Sequence, residues 1–212
     1  MARNTLPPCA VIFCTDLHEP IAAALRGLCE LEGLKVYLLG DPGADIGKIF
    51  DQIRQDGKQP VLVVHGGGEW RLRSAMECTM NDLESSWRSI CHAGGLIGQE
   101  AIRAMHPAGS GTLLFLGHVS STQNQAGCAA HGAANAGLRS FAQSMAREFG
   151  PQGIHVVYAK LGGLAGERAV GSAAKAIALA CWQLHLQHPS TWTHEIDLLP
   201  AGSASFQCER LA

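Results

Sequence analysis

The sequence predicts a single α/β domain on a doubly wound parallel sheet of about six strands, with helices on both faces. Three observations predict it. Short runs rich in Val, Ile, Leu and Phe alternate with longer segments of helical periodicity along the chain. Those short runs are continuously apolar rather than alternating, as in strands covered on both faces. The 212 residues suit one domain, and no internal repeat, low-complexity tract or linker divides them.

The elements follow in order. Residues 10–14 (Ala-Val-Ile-Phe-Cys) read as a buried strand, and 21–31 as an Ala/Leu-rich helix. Residues 35–39 are the next strand, 45–55 the next helix, and 61–64 another apolar strand running into Gly66, Gly67 and Gly68. That glycine triplet reads as a tight strand-to-loop turn. Residues 81–106 carry Leu83, Trp87, Ile90, Gly94, Ile97, Ala101 and Met105 at helical spacing. A strand at 112–116 precedes a helix at 131–149, whose stripe is Ala134, Leu138, Phe141, Met145 and Phe149. A strand at 155–159, a helix at 172–185 and a last strand at 193–198 complete the pattern.

Composition narrows the function. Sixteen Lys+Arg against eighteen Asp+Glu give a net charge of −2, which argues against a nucleic-acid or anionic-membrane binder. The chain is 47% apolar and only 16% charged, which excludes disorder. No apolar run approaches the roughly 20 residues of a membrane span, and residues 1–8 lack the apolar core of a signal peptide. The eight cysteines form no C-x-x-C pair. They read as reduced and mostly buried, in a soluble cytoplasmic domain.

In a doubly wound sheet the functional crevice lies beyond the C-terminal ends of the strands. The residues to interrogate are therefore 14–20, 65–69, 117–121 and 160–164.

Residues 129–156, Ala-Ala-His-Gly-Ala-Ala-Asn-Ala-Gly-Leu-Arg-Ser-Phe-Ala-Gln-Ser-Met-Ala-Arg-Glu-Phe-Gly-Pro-Gln-Gly-Ile-His-Val, resemble the active-site helix and following strand of the short-chain dehydrogenase/reductase family almost position by position. Residues 87–105, 112–117 and 192–198 resemble other parts of that family. The resemblance implies a Rossmann-type sheet and assembly through paired long helices.

The family's catalytic residues do not carry over. Its Tyr-x-x-x-Lys pair falls on His131 and Asn135, its serine on His118, and its helix asparagine on Ile90. In the family the tyrosine is the acid/base, and the lysine lowers its pKa and holds the cofactor ribose. Asn135 has no charge with which to do either.

The cofactor loop departs too. Where the family has Thr-Gly-x-x-x-Gly-x-Gly, this chain reads Thr15, Asp16, Leu17, His18, Glu19, Pro20, Ile21, Ala22. The family's glycines let backbone N–H groups approach a pyrophosphate. Here Asp16 and Glu19 would oppose the phosphates, and Pro20 has no N–H to offer. No dinucleotide cofactor is therefore expected. Between residues 40 and 60 there is one helix and no strand, so the sheet is shortened. Fewer residues follow 161–164 than the family's substrate lid needs.

Ten histidines remain to be read. His18, His65 and His118 follow strands, and His131 opens the helix facing them. They are candidates for acid/base groups or for ligands of an open Zn²⁺ site. No H-x-H or H-E-x-x-H spacing supports the metal, and neutral hydrogen-bonded histidines in an abandoned site are the favoured reading. Ser120 and Ser121 lack a G-x-S-x-G elbow, so a hydrolase is poorly signalled.

Two functional expectations result. The first is a pseudo-oxidoreductase acting as a scaffold or regulatory subunit, assembled with itself or with an active paralogue through helices 81–106 and 131–149. Small residues there (Gly94, Gly98, Ala133, Ala134, Gly137) would allow close approach, and a small-molecule ligand could persist in the crevice. The alternative is a repurposed cofactor-independent or metal-dependent enzyme using His118 and His131.

Overall fold

A computed structural model describes residues 6–15, 18–40, 45–68, 72–162 and 171–199. Six parallel strands form one sheet in the order β2-β1-β3-β4-β5-β6. The strands are β1 (Pro8–Cys14), β2 (Lys35–Leu39), β3 (Gln59–Gly66), β4 (Gly111–His118), β5 (Ile154–Leu161) and β6 (Glu195–Leu198). The chain runs outward from β1 to β2, then returns across to β3, so the order reverses between β1 and β3. That reversal opens the crevice of a doubly wound fold.

Continuous apolar strands are buried on both sides. The row Val11, Val63, Leu113 and Val156 faces α2 (Ile46–Gln55), α4 (Ala93–Met105) and α5 (Ala129–Phe149). The next row, Ile12, Val64, Leu114 and Val157, faces α1 (Glu19–Leu31) and α6 (Ser172–His185). Successive residues of these four strands thus enter opposite cores, which is why their runs are continuously apolar rather than alternating.

Local chemistry sets the helix ends. Asp45 caps α2 by accepting from the Lys48 N–H. Gly57, at φ +64°, ends it in the left-handed conformation that glycine adopts without strain. Thr79 and Asp82 form a reciprocal capping box on α3 (Met80–Ser86), with the Asp82 carboxylate accepting from both the N–H and the hydroxyl of Thr79.

The long helix expected over 81–106 is interrupted by one π-helical turn at Trp87–His92 between α3 and α4. A wider turn inserts an extra residue and changes the phase of the apolar stripe. Ile90, Ile97, Ala101 and Met105 stay in the core, whereas Leu83 and Trp87 are turned toward solvent, Trp87 to 50% exposure. The small residues of this region serve the domain's own packing. A Cβ on Gly94 would stand 2.6 Å from Leu138 Cδ1, and one on Gly137 would stand 2.8 Å from Trp87 Cζ3. Gly98 likewise lies against Met145 and Phe115. Close approach is used between α4 and α5 of one chain.

Candidate functional site

The crevice is built on the C-terminal ends of β1, β3 and β4 and the first turns of α5. The loop after β1 is tied to β3 by the Thr15 N–H donating to the Gly66 carbonyl at 3.1 Å. The His18 carbonyl accepts from the N–H groups of Ile21 and Ala22, which starts α1. Glu19 and Pro20 occupy the first turn, and Pro20 presents no donor. Asp16, expected to oppose a phosphate, lies outside the described residues, as do residues 163–170, where a short lid was expected.

His118 and His131 come together, with ring centroids 5.2 Å apart and planes at 73°. Ser120 lies between them in the 3-10 turn Val119–Ser121, its hydroxyl 2.9 Å from His118 Nδ1 and 3.3 Å from His131 Nδ1. The Ser120 N–H also donates to His118 Nδ1, so that nitrogen is an acceptor and the His118 proton belongs on Nε2.

His65 is elsewhere. Its side chain packs on the α4 side, edge-on to Phe115, with Gly67 and Gly94 against the ring. It is fully buried, and the Ile90 backbone is the polar group acting on its ring. His18 lies over Gly66, whose Cβ, if present, would be 3.5 Å from His18 Cβ. Among the described residues, no three His, Cys, Asp or Glu side chains stand so as to hold a metal ion.

Burial holds these imidazoles neutral at pH 7. It lowers His18, His65 and His118 to about 4, and His131 to about 3. Smaller contributions come from mutual repulsion, His118 acting on His131 and His18 on the other three.

Asn135 is consumed in structure. Its carbonyl oxygen accepts from the His118 N–H at 3.0 Å and from the Tyr158 hydroxyl at 3.2 Å, and its amide donates to the His131 carbonyl at 3.0 Å. Tyr158, on β5, is fully buried, and burial pushes its hydroxyl up to about 12. Only glycine fits opposite it, because a Cβ on Gly117 would stand 2.0 Å from Tyr158 Oη. Ile90 is buried against Gly68 and offers no polar group.

Lys160, near the end of β5, is committed to β6. Its ammonium stands 3.0 Å from Glu195 and 2.6 Å from Asp197, and Arg139 closes the network on Glu195 at 2.9 Å. Burial raises the Glu195 carboxyl, but Arg139, Lys160 and Gln143 outweigh it and leave the group at about 2.

A family model described as enoyl-(acyl carrier protein) reductase matches residues 12–181, which spans the whole crevice. The chain belongs to the short-chain dehydrogenase/reductase family. A short-chain dehydrogenase from Rhodopseudomonas palustris is 26% identical and superposes with a TM-score of 0.71, covering 90% of this chain and 98% of that one. A short-chain dehydrogenase from Streptomyces avermitilis, 14% identical, shares the fold at a TM-score of 0.75 over 89% of this chain and 88% of that one. A protein of Escherichia coli (strain K12) named cyclic-di-GMP-binding biofilm dispersal mediator protein is 34% identical over 118 residues, 53% of this chain. That match covers 47% of the relative, just under half its length.

Two contributors to this dehydrogenase-family site were not legible in the sequence. Ser120 was set aside for want of a nucleophile elbow, yet it joins the two histidines. Tyr158 read only as a strand residue, and nothing in its spacing signalled the bond to Asn135.

Proposed function

We propose that this member of the short-chain dehydrogenase/reductase family is catalytically degenerate as an oxidoreductase and works as a scaffold or regulatory subunit, in an oligomer with itself or an active paralogue. The observation that carries the reading is Asn135. It stands where the family's lysine would hold a ribose and lower a tyrosine's pKa, but it is uncharged, buried and bonded to His118, His131 and Tyr158. The partner position, His131, is held neutral by burial, at about 3, so it carries no imidazolium proton to donate at pH 7. The first turn of α1 has no glycine, Pro20 has no N–H, and those of Ile21 and Ala22 go to the His18 carbonyl.

An assembly role is supported by apolar surface on the α3–α5 side. Trp87 and Leu96 are 50% and 40% exposed. An apolar hollow of about 560 Å³ lies beside Leu83, Trp87, Ala130 and Ala133. A second hollow, of about 590 Å³, lies beside Ile102, Phe141 and Phe149. Exposed apolar surface of this kind marks protein contact sites. The relative named for cyclic-di-GMP binding and biofilm dispersal supports a regulatory, ligand-responsive use of the scaffold. No helix among the described residues is long and apolar enough to cross a membrane. The same reading places the chain in the cytoplasm, where buried thiols such as Cys9 and Cys29 stay reduced.

Titration calorimetry with NAD⁺, NADH, NADP⁺ and NADPH tests the reading. Binding is expected only in the millimolar range or not at all, and a micromolar dissociation constant for any of the four overturns it. A second reading, a cofactor-independent enzyme, is favoured by Ser120 lying within hydrogen-bond reach of two neutral imidazoles. Covalent labelling of Ser120 by a fluorophosphonate would support that reading.

A further inference from the structure

A groove of about 960 Å³ lies at the opposite end of the sheet from the crevice, under the N-terminal ends of β4 and β5. Its walls include Ser110 and Thr112 at the start of β4, Arg147 near the end of α5, His185 at the end of α6, and Trp192 and His194 before β6. A groove of this volume is ligand-sized. We propose that it binds a planar aromatic anion of the size of a nucleoside monophosphate, with Trp192 as the stacking surface and Arg147 as the counter-charge.

The aromatic surface is built in advance. One face of Trp192 is stacked on His155, with centroids 4.8 Å apart and planes within 3°. The indole N–H donates to the Gln187 carbonyl at 3.1 Å. Gln187 also grips Thr193, donating to its hydroxyl at 3.0 Å and accepting from its N–H at 2.9 Å. With one face covered and the edge bonded, the remaining face is the one a ligand ring can meet, and little entropy is left to lose on stacking.

The charge pattern selects an anion. The described residues lining the groove include one cation, Arg147, and no carboxylate. Arg147 is exposed and, among the described residues, forms no ion pair and directs its side chain only to the Gln143 carbonyl at 3.4 Å. Its guanidinium fork therefore keeps donors for a phosphate or carboxylate. His185 Nδ1 is bonded to the Thr112 hydroxyl at 2.9 Å, which orients the ring and leaves Nε2 for a ligand. The hydroxyl of Ser110 adds a neutral donor and acceptor at the same rim, while those of Ser190 and Thr191 are bonded to His188. A cation would meet Arg147.

Guanosine monophosphate serves as the probe, with guanosine and inorganic phosphate as its halves, titrated into the full chain at low salt by calorimetry and by NMR of the imidazoles. The nucleotide is expected to bind with a dissociation constant below about 1 mM and to shift His185 and His194. Each half alone should bind at least tenfold more weakly. Arg147→Glu, at an exposed position, should weaken the nucleotide at least tenfold, and Trp192→Ala should do so while the far-ultraviolet spectrum stays unchanged. No binding of the nucleotide overturns the proposal. So do affinity unchanged in Arg147→Glu, phosphate binding as tightly as the nucleotide, and shifts confined to His118 and His131. Because the groove is at the far end of the sheet, none of these outcomes bears on dinucleotide binding in the crevice.

Discussion

His118 and His131 face each other across one hydroxyl, that of Ser120, with their ring centroids 5.2 Å apart. On the proposed reading, these two imidazoles stand at the family's serine and tyrosine positions, joined by a residue that belongs to neither. Ser120→Ala should remove the bridge with little change in packing. The two rings should then titrate more independently, as NMR of the imidazole carbons would show. Unchanged titration of both rings would mean that Ser120 does not couple them.

Acid should destabilise the fold earlier than carboxylate titration alone would. His18, His65, His118 and His131 have folded pKa values of about 3 to 4, below the unfolded value of 6.5. The sign follows from linkage. The unfolded chain binds protons first, so stability is intact above pH 6.5 and falls as the pH drops toward 4. For one such histidine the loss between pH 7 and pH 5 is about 2 kcal/mol. Urea midpoints should fall steeply across that interval, and His131→Phe should flatten the slope by about one proton. A midpoint independent of pH between 7 and 5 would show that these rings are solvated.

Asn135 should matter for stability. Asn135→Leu removes the acceptor of the His118 N–H and one of two acceptors of the Tyr158 hydroxyl, which keeps the backbone carbonyl of residue 135. Leaving the His118 N–H without its partner should cost about 1–3 kcal/mol in a denaturant titration. Asn135→Lys should be at least as damaging and should not create dinucleotide binding, because α1 still lacks its glycines. Full stability in Asn135→Leu would mean that water replaces the amide.

Assembly should depend on the residues that the π-helical turn brings to the surface. Trp87→Glu or Leu96→Glu should convert an oligomer to monomer in sedimentation at micromolar concentration. Leu96→Glu, at the edge of the packing, should leave the thermal stability of the monomer unchanged, whereas Trp87→Glu also gives up the contact of the ring with Gly137 and should lower it. Met145, on the same helix stripe as Phe141, is buried against Gly98, so Met145→Glu would disturb the core instead. A chain that is monomeric alone and with every co-expressed homologue would remove the assembly reading.

The sequence by itself determined the sheet and its helices. Continuous apolar strands such as 61–64 can only be stable when covered on both faces, and α6 and β2 carry the bounds expected from their periodicity and flanking residues. It also carries the proposed loss of the family's site, because which residue stands at positions 15–22, 131 and 135 is a matter of residue type rather than of folding. Tertiary structure decided which residues meet. His65 and His118 both follow strands, yet one side chain enters the α4 core and the other reaches α5, a choice made by strand register and helix packing rather than by local spacing. Ser120 came between two rings because a 3-10 turn follows β4. The phase of the 81–106 stripe changed because one π turn adds a residue, and hydrophobic periodicity carries no signal for the hydrogen-bond register of a single turn.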